Sequence, residues 1–331
     1  MMNAMVDMIV PVYNGEKFLQ ECLESLEQQS YQNIHPIIID DHSSDSSLKV
    51  IQKYQQNSKF EVTVLENDTN QGVSYSRNRA LEQLKGKFVT FLDADDVLLT
   101  NHVEKLVNLI ENNPSRIAVT GGGSHLKLNP KNFQRKRLYS FNDSLCELLG
   151  SRGVEGYLWN KLFYVEDIKK YQLNFIKDIF MGEDLLFVFK LAVKAHAQII
   201  YDPKVTYYYR PNLDSAMRKN RSAEGVLKKG NNWLKTYQVL ESIIDDNLNQ
   251  HNNRKVFRLL DIQYYGSIND FMYDLFAVDD IKDAIRFKME FMHWLKHDFW
   301  PTLFSKYFST RRKIGIFKKT LQNRRDVKTN S

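Results

Sequence analysis

Cysteine is scarce: the 331 residues hold only Cys22 and Cys146, far apart and each inside a stretch of helical spacing. That excludes a disulfide scaffold and a thiolate zinc site, and it fits a reducing cytoplasm. Long apolar runs are missing too, none approaching the roughly 18 residues that a spanning helix needs. The apolar stretch 8–13 is too short for a signal peptide, and no basic region precedes it. Neither an internal repeat nor a low-complexity tract is present. Glycine is sparse where it would matter for one large class of α/β enzymes. The turn after the first expected strand, Val12-Tyr13-Asn14-Gly15-Glu16, has a single glycine, which argues against a dinucleotide-binding reductase.

What is present is enough apolar content, 43%, for one large α/β domain and an appendage. The net charge of +6 is unevenly spread. Residues 282–331 carry 13 Lys and Arg against 4 Asp and Glu, so the first 281 residues are net acidic. An acidic body is a poor footprint for nucleic acid, and no nucleic-acid partner is expected.

The first half alternates strand-like and helix-like periods, the pattern of a mainly parallel sheet with helices on both faces. Strands are expected at 6–12, 34–40, 60–65, 88–92 and 117–120. Between them lie helices carrying Phe18, Leu19, Cys22, Leu23 and Leu26, then Leu48, Val50, Ile51 and Tyr54, then 73–84 up to Gly86, and 103–110. Residues 124–137 look like a loop insertion. Further on, 159–163 reads as a strand, 185–193 as a helix and 199–210 as one or two tyrosine-rich strands. From about 223 the spacing is helical, with Trp233, Tyr237, Leu240 and Ile244 three or four apart, and it stays so to about 300. The expected domains are therefore 1–220, a helical region 221–300 and a basic tail 301–331.

Three acidic groups could carry chemistry. Asp93, Asp95 and Asp96 follow a buried strand at the edge where open parallel sheets bind ligands. Clustered carboxylates repel unless a hard cation such as Mg²⁺ or Mn²⁺, shared with substrate phosphates, neutralises them. The other reading is a helix N-cap with acids in its first turn. Asp40, Asp41, His42, Ser43, Ser44 and Asp45 follow another strand to the same edge; Asp45 or Ser44 suits an N-cap, and Asp41 could accept a uracil N–H. Glu183 and Asp184 open a helix whose dipole favours an ionised general base, or simply complement that dipole. Arg77 or Arg79 could pair with a diphosphate or with Asp93, the alternative being a solvated face.

Taken in order, seven segments resemble family 2 inverting glycosyltransferases of the GT-A fold, of the bacterial cell-surface polysaccharide type. They are Val10 with Pro11, Val12, Tyr13 and Asn14; Asp40 and Asp41 with Ser43 and Asp45; Asn70, Gly72, Arg77 and Asn78; the Asp93 cluster; Trp159-Asn160-Lys161-Leu162-Phe163; Gly182-Glu183-Asp184; and Tyr207-Tyr208-Tyr209-Arg210. The resemblance implies that Pro11, Tyr13 and Asp41 hold the nucleobase, that Arg77 and Asp93 contact the donor, and that Asp95 ligates Mn²⁺ or Mg²⁺. It further implies Asp184 as catalytic base, with Trp159 and Glu183 on the acceptor side. The expected reaction moves one sugar from a nucleotide-diphosphate donor, a uridine one, to a saccharide hydroxyl in envelope polysaccharide assembly. A catalytically silent nucleotide-sugar or glycan-binding module on the same fold is the rival.

Two departures stand out. His42 occupies a turn position where the family often has Gly or Asn, and Pro211-Asn212 follows Arg210 where many relatives place a metal-binding histidine. Spanning helices and the QxxRW motif of processive synthases are both missing, which favours single-sugar transfer. Finally, residues 285–317 interleave Phe287, Phe291, Trp294, Phe299, Trp300 and Phe304 with Lys288, Lys296, Lys306, Arg311 and Arg312. Such a segment either docks on an anionic membrane, where a lipid-linked acceptor would be met at the cytoplasmic face, or packs on its own domain.

Overall fold

A computed structural model describes residues 3–123, 135–150, 153–211, 222–277, 316 and 318–323. The chain divides into two compact units, the first Met1–Ser144 with Gly156–Asn212, the second Leu145–Glu155 with Leu213–Ser331.

The first unit is an α/β sandwich. Strand β1 (Val6–Val12) leads through α1 (Glu16–Glu27) to β2 (Ile34–Asp40), α2 (Ser47–Asn57), β3 (Thr63–Glu66), α3 (Val73–Leu81) and β4 (Phe88–Phe91). Next come β5 (Val97–Leu98), α4 (His102–Glu111), β6 (Ile117–Gly123), β7 (Arg137–Tyr139) and α5 (Phe141–Leu148), which runs across the division between the units. The unit is completed by β8 (Lys161–Tyr164), α6 (Val165–Lys170), α7 (Glu183–Lys194) and β9 (Ile199–Tyr208). The strand order is β3-β2-β1-β4-β8-β6-β9-β5, with β7 on β9.

The sheet is parallel through β3, β2, β1 and β4, as the alternating pattern leads one to expect. Beyond β4 it is mixed, with β8 antiparallel to both β4 and β6, while β6 and β9 pair in parallel. Every residue of β2 is buried, as is nearly all of β1, which is why these strands read as mostly apolar runs despite Asp7, His35 and Asp40. Side chains alternate across the pleat. Val6, Met8, Val10 and Val12 meet Leu19, Cys22, Ile51 and Leu106 from α1, α2 and α4 on one face. On the other face Phe91 meets Phe163, Phe175 and Phe187 edge to face, with Phe187 brought in by α7. Each such ring or aliphatic side chain contributes roughly 1.5–3 kcal/mol by leaving water.

Some boundaries differ from the sequence reading. Helix α3 ends at Leu81, short of the expected 84, and Trp159 and Asn160 lie in a turn before β8. Of the expected loop 124–137, residues 124–134 lie outside the described residues, and Arg137 begins a strand antiparallel to β9. The tyrosine-rich stretch forms one strand. Its partner β6 shifts register at Gly121, where a Cβ would fall 2.4 Å from the Pro203 carbonyl oxygen.

The second unit contains α8 (Ala223–Asn247) and α9 (Gln250–Ala277). Helix α8 is capped by the Ser222 hydroxyl, which accepts from the Gly225 amide. Tyr237, Leu240 and Ile244 are buried, in keeping with their helical spacing, and the Tyr237 hydroxyl bonds Ser267 of α9 at 2.8 Å. Grouping Leu145–Glu155 with these helices makes the unit discontinuous in sequence. The basic, aromatic segment 285–317 lies outside the described residues apart from Ile316, so its expected docking role has no structural counterpart.

Candidate functional site

Four parallel strands end at one sheet edge, so the residues that follow β1, β2, β3 and β4 are gathered there. Pro11 lies half-buried near the end of β1, and Tyr13 just beyond it is 53% exposed. Asp41 follows β2 and is buried, its carboxylate held by the loop after β3. Oδ1 accepts from Asn67 Nδ2 at 2.6 Å and the Gln71 amide at 2.9 Å, and Oδ2 accepts from the Gly72 amide at 2.7 Å. One acceptor direction on Oδ2 is left after these three bonds.

The turns around Asp41 are cross-braced. The Asn14 amide donates to Ser43 Oγ at 2.9 Å, and Asn14 Oδ1 accepts from the Ser44 amide at 2.8 Å. Asp45 accepts from the amides of Glu16 and Ser47, which keeps its carboxyl below the usual range despite partial burial. His42 sits in this turn with φ of 62°, in the left-handed region. This explains why Gly or Asn suits the position, since neither strains there. His42→Gly should therefore raise the urea unfolding midpoint, by about 0.5–1 kcal/mol in stability, with turnover retained. A lower midpoint would mean that the imidazole makes a contact outweighing the strain.

The acidic group after β4 has divided roles. Asp96 is fully buried, Oδ2 accepting from the Tyr207 hydroxyl at 2.8 Å and Oδ1 from the Arg210 amide at 2.8 Å. Burial, then the charge of Asp93, pushes its carboxyl up to about 8. It ties β9 to the turn and faces away from solvent. The Tyr207 oxygen also accepts from the Asp93 amide at 3.2 Å. Arg210 completes the latch, its Nε donating to the Asp95 carbonyl at 2.9 Å and its Nη2 pairing with Glu21 at 2.6 Å. Asp93 and Asp95 are left half-buried at the edge.

Arg77, from the first turns of α3, reaches across this edge with only 5% of its side chain exposed. Nη1 pairs with Asp184 Oδ1 at 2.6 Å and with Glu183 Oε1 at 3.4 Å, and Nη2 pairs with Asp93 Oδ1 at 3.4 Å. Phe175 lies under the guanidinium at 5.4 Å. The structure thus joins three expected site carboxylates through one cation. Helix α7 presents two of them because Gly182, at φ of 80°, takes a left-handed conformation at its N-cap. Burial, reinforced by Asp184, pushes Glu183 up to about 7. Burial also raises Asp93 to about 6, the charges of Asp184 and Asp95 adding to it and Arg77 opposing.

Trp159 is linked to the acidic turn through Tyr207. A Cβ on Gly122 would fall 2.0 Å from its Cζ3, so a side chain at 122 would displace the ring. The indole stacks on Tyr207, with centroids 4.6 Å apart. Asn67 was not singled out from the sequence, its only signal being its place just after a strand, whereas Tyr207 and Arg210 stood in one of the seven segments without a holding role assigned to them.

No three His, Cys, Asp or Glu side chains converge as a metal site among the described residues. Mg²⁺ and Mn²⁺ need no such cage, since one or two carboxylates and substrate phosphates suffice. Asp93 and Asp95, both half-buried at the sheet edge, offer two such carboxylates.

The model of the family described as "Glycosyl transferase family 2" matches residues 7–175. EpsH of Bacillus subtilis, described as a glycosyltransferase, is 28% identical over 221 residues, 65% of this chain and 63% of that protein. The poly(ribitol-phosphate) beta-N-acetylglucosaminyltransferase TarS of Staphylococcus aureus is 28% identical over 204 residues, 60% of this chain but 34% of its own length. The chain thus spans less than two thirds of either relative. Among solved structures, TarS 1–349 in complex with UDP superposes with a TM-score of 0.55 and 20% identity, covering 87% of this chain and 88% of that one. The mannosyltransferase PcManGT of Pyrobaculum calidifontis, in complex with GDP-Man and Mn²⁺, gives 0.58 and 14%, covering 97% and 87%. The fold is GT-A-like, with a helical C-terminal region.

Proposed function

The chain belongs to glycosyl transferase family 2, and on that premise we propose that it moves a single sugar from a nucleotide-diphosphate donor to a saccharide hydroxyl with inversion at the anomeric carbon. The observation that carries this reading is the Arg77 bridge, which gathers Asp184, Glu183 and Asp93 at the sheet edge. Tyr13 and Asp41 face the nucleobase, Asp41 using its remaining acceptor direction, and Pro11 backs them. Uridine is the base proposed, in keeping with TarS, although PcManGT binds a guanosine donor.

Asp184 takes the proton of the acceptor hydroxyl as its oxygen attacks the anomeric carbon. Glu183 and Trp159 line the acceptor side, and Arg77 fixes the carboxylates against one another. Asp95, with Asp93 beside it, would hold Mn²⁺ or Mg²⁺, which supplies charge stabilisation for the departing diphosphate. One displacement leaves no covalent sugar on the protein.

The test is a panel of nucleotide sugars scored by nucleoside diphosphate release. Release should need Mn²⁺ or Mg²⁺, stop in excess chelator, and be lost in Asp95→Asn with unfolding unchanged. Full turnover in chelator would remove the metal from the mechanism, and silence with every donor would favour a binding module.

Envelope polysaccharides such as capsule, exopolysaccharide, lipopolysaccharide or teichoic acid are the proposed setting, with a lipid-linked acceptor at the inner face of the membrane. What supports this is the basic tail, each Lys or Arg being worth about 1 kcal/mol near an anionic leaflet. Full-length protein should float with anionic liposomes and lose most of that binding at high salt or on truncation after Thr310; equal flotation of both forms would reject the docking.

A further inference from the structure

We propose that Asn78 and Phe175 are positioning residues, which clamp the segment leading into α7 onto α3 and so set the place of Asp184. This rests on the glycosyl-transfer reading above, in which Asp184 is the base, and names what holds that base besides Arg77.

Residues 171–182, between α6 and α7, form neither helix nor strand, so the path of the chain there depends on what its backbone groups bond. Both backbone groups of Phe175 are taken by one side chain. The Phe175 amide donates to Asn78 Oδ1 at 2.7 Å, and Asn78 Nδ2 donates to the Phe175 carbonyl at 2.8 Å. The pair copies the two-bond exchange of antiparallel strands, and it fixes which end of the side-chain amide is oxygen. A second pin follows, the Ser74 hydroxyl donating to the buried Ile179 carbonyl at 3.2 Å. Three residues later Gly182 takes the left-handed turn that opens α7.

One helix face supplies every anchor. Ser74, Arg77 and Asn78 are three and four apart on α3 and so lie on the same side of it. Arg77 reaches the carboxylates of α7, while Ser74 and Asn78 hold the chain that enters α7. Phe175 couples the two actions. Its buried ring stacks on Phe187 of α7, with centroids 4.3 Å apart and planes within 4°, and it also lies 5.4 Å from the Arg77 guanidinium. Phe187 is one turn beyond Asp184, so a shift of the Phe175 ring is passed along a rigid helix to the carboxylate.

The clamp differs from the Arg77 bridge in carrying no charge. Removing Asn78 leaves every ionised group of the site in place and changes only geometry. Geometry is what a base depends on, since it must stand within hydrogen-bond reach of the hydroxyl, and a displacement of about 1 Å costs about 10²-fold in rate.

Asn78→Ala should therefore lower kcat about tenfold to a hundredfold while donor affinity, measured by calorimetry, stays within about threefold. Phe175→Leu, which keeps apolar bulk but not a flat face, should lower kcat about tenfold and guards against a first variant that fails to fold. Asn57→Ala loses an exposed bond to the Lys53 carbonyl and should leave kcat alone. In an Asp184→Asn background, Asn78→Ala should cost less than about twofold, because a clamp that acts through the base then has nothing to place. Hydrogen exchange supplies a readout without turnover. The Leu186 amide, which donates to the Gly182 carbonyl at 3.0 Å, should exchange about tenfold faster in Asn78→Ala, with the amides of β2 unchanged. Wild-type kcat in both clamp variants, full additivity with Asp184→Asn, or unchanged Leu186 exchange would overturn the clamp. No diphosphate release from any donor would count instead against the transfer reading, and the exchange result would still decide whether Asn78 holds the start of α7.

Discussion

Replacing Asp184 with Asn is expected to cut kcat by about 10²–10⁴-fold, the usual contribution of a positioned general base, while donor affinity stays within about twofold. Asn keeps the size of the side chain and an oxygen for Arg77, which contacts Oδ1 at 2.6 Å, so the loss would report proton transfer rather than collapse. Glu183 is the competitor. Burial brings its carboxyl up to about 7, and a base whose pKa lies near the ambient pH is the most effective one at neutrality. Glu183→Gln therefore belongs beside Asp184→Asn in steady-state and donor-binding measurements. Near-wild-type kcat in Asp184→Asn with a collapse in Glu183→Gln would exchange their roles. A large loss of donor affinity in Asp184→Asn would move that residue to the donor side.

Legibility in the sequence follows how much of an element's identity is local. The bounds of β1 and β2 match their apolar runs because central parallel strands are buried on both faces. Both acidic clusters could then be placed at one edge, which is why Asp41 and Asp93 could be grouped from the sequence, Tyr13 joining them only through the resemblance. β5 and β7, two and three residues long, exist only by pairing with β9, and α6 is a six-residue turn of helix with no room for a period.

The acidic clusters were legible as clusters, but their division of labour was not. Asp96 is turned inward by Tyr207, 111 residues away, and nothing around residues 93–96 distinguishes it from Asp93 or Asp95. Asp41 owes its held carboxylate to donors 26 to 31 residues on, in a loop that alternates with no period. Arg77 was legible as a motif residue on the donor side, but not as the cation that joins Asp184, Glu183 and Asp93. Its neighbour Arg79 turns back instead, donating to the Glu66 carbonyl and Asn67 Oδ1 at 2.6 Å each.

Arg77 is expected to be the least replaceable of these side chains. It lies among Asp184, Glu183 and Asp93 with only 5% of its surface in water, and their charges hold its guanidinium well above the usual range against the cost of burial. Removing one partner of a buried ion pair leaves an uncompensated charge and costs about 3–5 kcal/mol. Because the Asp93 side chain is 32% exposed, the low end applies, so Arg77→Met should lose about 3 kcal/mol in urea unfolding. Arg77→Lys separates charge from shape. A single ammonium restores one positive charge but cannot reach carboxylates on α7 and after β4 from both prongs of a planar fork. That variant should regain most of the stability yet lose about 10²-fold in kcat, the cost of a base misplaced by about 1 Å. Its donor KM should rise less, since the displaced group acts on the acceptor. Wild-type kcat in Arg77→Lys would mean that charge alone is required at this position. Equal losses of stability in both variants would mean that the fork serves the fold, and that Asp184 finds its orientation from the N-terminus of α7 without it.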